Sequence, residues 1–189
     1  MNASSAVVDS LPRTGLWSID SLHSTVNFSV RHHAVATFRS SFTNVDGAYD
    51  GGERQLTGEV QVTDITLTGL DRLKGHILTP DFFNADEFPT FSFRSTSIEQ
   101  DADKLIFHGE LTLRGVTRPI TAEGSVLGPQ TTRHGDGHVS QRLGIDLATV
   151  IDRRDWGINF NNQIADGVTN LGWDVKIEAA LELYADSED

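Results

Sequence analysis

The side chains of this chain that could do chemistry are its histidines, carboxylates and hydroxyls, because it has no cysteine. Disulfides, thiolate zinc sites, iron–sulfur clusters and cysteine nucleophiles are thereby excluded. Among the seven histidines, His134 and His138 belong to a glycine-rich stretch (HGDGH) in which their spacing does not put two imidazoles on one helix face. A solvated loop outweighs a metal site there. His32 and His33 are adjacent and point apart in regular structure, so a hydrogen-bonded structural role is expected for His32, and equally for His23, ahead of ligation. The run Asp152, Arg153, Arg154, Asp155 (DRRD) is a charged cluster of the kind that more often braces a loop than moves protons. Hydrolysis would call for a serine in a nucleophile elbow or a carboxylate pair with a defined gap, and neither occurs. Nor is there a P-loop or dinucleotide fingerprint, despite 17 glycines. No catalytic residue, metal or cofactor is expected.

Charge and composition narrow the partners. With 27 acidic against 15 basic residues the formal charge is −12, so the average surface repels phosphate backbones and nucleic acid is an improbable partner. No stretch reaches the apolar length needed to span a bilayer as a helix. The first residues (MNASSAVVDSLPRTG) carry neither a basic segment nor an apolar run of signal-peptide length, from which cytoplasmic residence is the expectation. At 189 residues, 38% of them hydrophobic, one domain with a sizeable core is expected. It should span residues 15–184, between a flexible N-terminal tail (1–14) and an acidic C-terminal tail (185–189).

The elements that must position any site read as strands. Residues 25–31 (TVNFSVR) set Val26, Phe28 and Val30 on one face against Asn27, Ser29 and Arg31, the period of a half-buried strand. The alternation returns at 58–62, 90–94, 105–114, 120–126, 142–147 and most clearly at 174–183, where Val175, Ile177, Ala179, Leu181 and Leu183 share a face. Further strands are expected at 17–20 and 39–49, with a turn at 115–119 (GVTRP). That makes roughly eight, joined by short turns typical of antiparallel hairpins. One helix interrupts the series: Thr68 and Asp71 resemble a capping pair, Leu70, Leu73 and Ile77 share a face, and Pro80 ends it. A shorter helical turn is expected near residues 31–38. Such one-sided strands must hide their apolar faces between two sheets or inside a closed one. An eight-stranded barrel can be filled or can hold one ligand, and periodicity does not choose between these.

Longer blocks carry a resemblance. Residues 17–32 (WSIDSLHSTVNFSVRH) are similar to the opening of the YceI-like family of lipocalin-like polyisoprenoid-binding proteins, at Trp17, Asp20, His23, Ser24, Val26, Phe28, Arg31 and His32. Three more blocks agree in family order: His76, Asp81 to Phe83 and Phe88 to Phe93; then residues 109–119 (GELTLRGVTRP); then Ile151, Arg153, Asp155 and Gly157. Where relatives usually carry an Arg-Asp pair shortly before the position of His76, this chain has Leu73 and Lys74. Trp156 stands where phenylalanine is common.

The resemblance implies an all-β fold, an eight-stranded antiparallel lipocalin-like β-barrel with one or two short helices, that binds, stores or transports a lipid and has no conventional catalytic apparatus. The implied partner is a long-chain isoprenoid, quinone-like or fatty-acyl amphiphile. In such a barrel Phe28, Val30, Phe91, Phe93, Phe107, Leu111 and Leu113 come around one axis and are the expected apolar pocket lining. His32 and His76 are the expected polar contacts. Two other readings compete. One is an enzyme or redox partner acting on a bound isoprenoid or haem-like group through His23, His32 or His76. The other is a packed structural or stress-response barrel without ligand, as a homodimer through exposed aromatic surface.

Overall fold

The computed structural model describes residues 11–67, 70–101, 104–133, 135 and 137–186. Alternating sequence becomes antiparallel ladder throughout. The strands are β1 (Leu16–Ile19), β2 (Thr25–His32), β3 (Ala36–Phe42), β4 (Asp46–Asp50), β5 (Gln55–Gln61), β6 (Thr90–Asp101), β7 (Lys104–Leu113), β8 (Val116–Arg133), β9 (Val139–Asp152), β10 (Gln163–Ala165), β11 (Val168–Thr169) and β12 (Leu171–Asp186). In the main sheet the order is β1-β4-β5-β6-β7-β8-β9-β12-β2-β3, and β1 also pairs with β12 through Ser18↔Tyr184 and Ile19↔Leu183. That pairing closes the sheet. β1 and β2 follow one another along a single edge of β12, and β3 and β4 follow one another beside them, so ten strands fill the eight positions of a closed barrel. Closure removes most exposed edges, which keeps a strand-rich chain from pairing with copies of itself.

Several local expectations are corrected. Residues 39–49 are not one strand: Asn44 adopts φ 56° and donates to Asp64, which breaks the ladder between β3 and β4 while Val45 turns into the core. The segment 31–38 holds a hairpin turn instead of a helical one, because His33 and Ala34 both have positive φ and the Val35 amide donates to the His32 carbonyl. Two left-handed residues in a row give the twist that a tight hairpin needs. The turn expected at 115–119 occupies only Arg114 and Gly115, also both at positive φ, so Pro119 lies within β8 opposite Glu110.

The single α-helix among the described residues, α1 (Asp71–Leu78), starts without a side-chain cap, and Thr68, read as part of a capping pair, lies outside them. Ile77 on α1 is buried and Leu73 partly so, both against the barrel core. No helix among the described residues is long and apolar enough to cross a membrane.

The two ends of the barrel differ. At one end Trp17, Tyr49, Leu105, Phe107, Leu143 and Leu183 pack into a continuous core. Leu11, 2% exposed, joins that core, and the Tyr49 hydroxyl donates to the Pro12 carbonyl at 2.8 Å, so the chain before β1 is held against this end. Burial raises the Tyr49 pKa above its ordinary value. At the other end α1 and the loop that follows it pack against the barrel through Ile77, Leu73 and Phe83.

Candidate functional site

Above the packed end the barrel is hollow. A cavity of 740 Å³ opens toward α1 and is walled by inward faces of β2, β3, β5 to β9 and β12, a size suited to one small-molecule ligand. On β12 the inward residues change character along one face: Leu183 and Leu181 are buried at the packed end, whereas Ala179, Ile177 and Val175 are half-buried and border the cavity.

Two inward glycines shape its lower part. A Cβ on Gly109 would come within 2.5 Å of the Phe93 ring, and one on Gly124 within 3.0 Å of the Phe107 ring. Each absence of a side chain is therefore filled by an aromatic from a neighbouring strand, of which Phe93 borders the cavity and Phe107 is fully buried in the packed core.

Of the residues expected to line a pocket, Phe28, Val30, Phe91, Phe93, Leu111 and Leu113 do so. Phe107 does not. It is 0% exposed and packs at the closed end, because on β7 the inward step from Phe107 to Leu111 passes Gly109, where Phe93 crosses the interior. His32 and His76 both border the cavity. His76 Nε2 lies 3.0 Å from Asp81 Oδ2, and its ring is met edge-on by Phe82 and Phe160 at centroid distances of 5.2 and 5.0 Å. His76 thus joins α1 to the loop that follows β9. His32 stacks on His33 at 4.1 Å. Leu73 also lines the cavity and extends its apolar wall.

Sequence reasoning passed over the aromatic roof and part of the wall. Phe42 meets Phe83 and Phe91 edge-on at 5.7 and 4.9 Å, and Ile177 and Ala179 complete one side. The β12 residues carried a visible signal in their alternation. Phe83 did not, since it sits on a loop where no period applies.

The DRRD run braces a loop. Arg154 pairs with Asp152, lowering the Asp152 pKa, and together they start a short 3-10 turn. Arg153 turns inward and is 4% exposed. It donates through Nε to the Gly172 carbonyl at 2.9 Å, and through Nη1 to those of Ile158 and Phe160 at 2.7 and 2.9 Å. Its guanidinium carbon lies 4.4 Å from the Trp173 ring centroid. Burial lowers its proton affinity, and it forms part of the cavity wall. Trp156 closes the turn by donating Nε1–H to the Leu111 carbonyl at 3.2 Å.

His23 lies elsewhere. Asp20, His23 and Glu182 bring ligand atoms within 4.8 Å of one another on the outside of the barrel, a set able to bind a cation. Arg142 supplies that cation: its Nη1 is 2.7 Å from Asp20 and 2.9 Å from Glu182. His23 donates to Asp20 at 3.0 Å. That bond, followed by the one from Arg142, holds the Asp20 carboxyl at about 2, while Asp20 raises the His23 pKa. His134 lies outside the described residues.

Residues 17–183 match the family described as YceI-like domain. The chain belongs to the YceI-like family. A UPF0312 protein of Staphylococcus aureus (strain bovine RF122 / ET3-1) is 31% identical over 170 residues, covering 88% of this chain and 95% of that one. Among solved structures the YceI-like barrel is similar to Burkholderia cenocepacia BcnA, with TM-score 0.68 and 18% identity over 87% of this chain and 98% of that one. A polyisoprenoid binding domain from Saccharophagus degradans gives TM-score 0.68 and 14% identity over 89% and 98%. At such identities the likeness is one of fold, and it extends over the whole YceI-like domain.

Proposed function

We propose that this YceI-like barrel binds, stores or carries a long-chain isoprenoid or another amphiphilic lipid, quinone-like or fatty-acyl, in its interior. The observation that carries the reading is the 740 Å³ cavity whose wall is carbon over most of its length. Its polar lining includes His32, His76, Arg153, Asn162 and Asn170. Such a space is costly to leave to water and favourable to fill with a hydrocarbon chain, at about 0.8 kcal/mol for each buried methylene. The name of the Saccharophagus degradans domain points to the same ligand class.

The reading is of a carrier and not of an enzyme. A tail in this cavity meets Phe28, Phe91, Leu111 and Ile177, which hold it by shape and dispersion and offer it no proton or nucleophile. Of the three histidines named in the redox alternative, His23 is on the outer surface beside Arg142, whereas His32 and His76 border the cavity. Organic extraction of freshly purified protein followed by mass spectrometry tests the proposal. A stoichiometric long-chain lipid is expected. An empty extract, with no uptake of a fluorescent fatty acid or prenyl probe by the same protein, would refute it.

A further inference from the structure

The register along β12 fixes which segments lie at the end of the barrel away from the packed core. Leu183, in that core, pairs with Leu143, whereas Asp174 pairs with Asp152 and Leu171 with His32. Two hairpin tips therefore share the far end. One is the turn at residues 33–35 between β2 and β3, and the other is the β10–β11 hairpin, a two-stranded sheet separate from the barrel. They are joined, because the His33 amide donates to the Asn170 carbonyl at 2.7 Å. The cavity meets solvent beside them: His32 and Ala36 flank the first tip, Asn162 precedes the second, and all three are exposed and line the cavity.

Both tips put an apolar side chain into water. Val35 is 83% exposed and Ile164 45%. A tight turn with two left-handed residues ordinarily takes asparagine or glycine, yet here His33 and Ala34 hold those positions, with φ 52° and 59°. Acids are also scarce. Residues 31–37 (RHHAVAT) contain none and residues 158–171 only Asp166, against 27 in the 189 residues of the chain, so these tips lack the charge by which the average surface repels a lipid head group. Of the neighbouring acids, Asp152 is engaged by Arg154 and Asp81 by His76. A single exposed valine is ordinary; two joined, acid-poor, apolar tips beside the mouth of a 740 Å³ apolar cavity are not.

The cargo supplies the partner. A hydrocarbon chain that leaves the cavity through water exposes its methylenes, which slows escape roughly fourfold for each one. Contact with a bilayer removes that barrier, because the chain then passes from one apolar medium to another. We propose that the Val35 and Ile164 tips dock on a phospholipid bilayer and that the cargo crosses between membrane and cavity at that contact. This rests on the lipid-binding reading and adds the partner and the route. The surface that fits is zwitterionic, since a chain of charge −12 is repelled by an anionic one. Attachment is peripheral, with two side chains at the head-group boundary.

The test follows transfer by stopped-flow fluorescence from full-length protein, loaded with BODIPY-labelled hexadecanoic acid, to phosphatidylcholine vesicles carrying a quencher lipid. Transfer by contact gives a rate that rises in proportion to vesicle concentration. Release into water gives one rate at every concentration, and that result overturns the docking. In the double variant Val35→Asp, Ile164→Asp transfer should slow roughly ten- to a hundredfold, while the equilibrium Kd for the probe stays the same. Leu127→Asp, at a position 64% exposed on β8, should leave the rate unchanged. A double variant as fast as the wild type, or a Leu127→Asp protein equally slow, refutes the assignment of the tips. Light scattering identifies the rival occupant: a wild-type dimer that the double variant splits, with a rate indifferent to vesicle concentration, gives the tips to a second copy of the chain instead. In each of these outcomes the protein still holds its probe and lipid binding stands. Failure to retain the probe refutes the lipid reading and, with it, the docking.

Discussion

Ala179 offers the sharpest probe of how far a ligand reaches into the barrel. It faces inward on β12, opposite Val26 on one side and Leu147 on the other, between Ile177 at the cavity and Leu181 in the packed core. An Ala179→Trp substitution puts an indole into empty space just above the base, displacing on the order of four methylenes of tail at about 0.8 kcal/mol each. The loss is about 3 kcal/mol, or roughly 200-fold in Kd, but only for tails long enough to have reached that depth. The assay is a chain-length series of fatty acids measured by calorimetry on delipidated protein. In the unmodified protein affinity should rise about fourfold per methylene until the tail reaches the base of the cavity, then level off. In Ala179→Trp the rise should stop about four methylenes earlier, with short chains unaffected. Val150→Trp, at an outward position 62% exposed on β9, serves as control. An unchanged plateau, or an equal loss at every chain length, would show that the tail does not run down the barrel axis past Ala179.

Other consequences can be read from the two ends and the outer surface. Phe107→Ala should cost about 3–5 kcal/mol in chemical denaturation, because it empties a fully buried site, while Phe93→Ala at the cavity border should cost clearly less; equal losses would contradict the division into packed and hollow halves. Trp156→Phe removes both the bond to the Leu111 carbonyl and the pyrrole half of an indole that is 2% exposed, so a loss of about 1.5–3 kcal/mol is expected from urea unfolding. The ion cluster predicts a pH signature. His23 is raised by Asp20, so its contribution is complete below about 6.5 and is lost as pH climbs through the folded value. Asp20 is lowered to about 2 from 3.8, so its contribution is complete above 3.8 and is lost as pH falls toward 2. The stability difference between the wild type and His23→Gln should therefore be largest between these limits and shrink in alkaline buffer; urea midpoints showing the same difference at pH 5 and pH 9 would exclude an ionic bond.

Strand identity was legible in the chain because a β-strand writes its burial with a period of two that needs only near neighbours to be read. The inward faces of β2, β7 and β12 all followed from it. Length along a face was not legible in the same way. Phe107 and Leu111 share the inward side of β7 and the same alternation, yet one is core and the other cavity wall. The difference is set by where Phe93 crosses Gly109, a contact between strands.

Closure and charge pairing also belong to the tertiary level. Whether one-sided strands form a sandwich or a barrel depended on Ser18 meeting Tyr184 and Ile19 meeting Leu183, partners too distant in the chain for any local pattern to connect. Arg142 reaches Asp20 across 122 positions, and that encounter turns a metal-like set of ligands into an ion pair. Composition and period determined an all-β chain with an apolar interior and no cysteine chemistry, since those properties are local or additive. The hollow upper half, the position of His23 outside it and the meeting of two hairpin tips beside its mouth were decided only when distant segments packed, because empty space and contacts between loops are properties of what surrounds a residue.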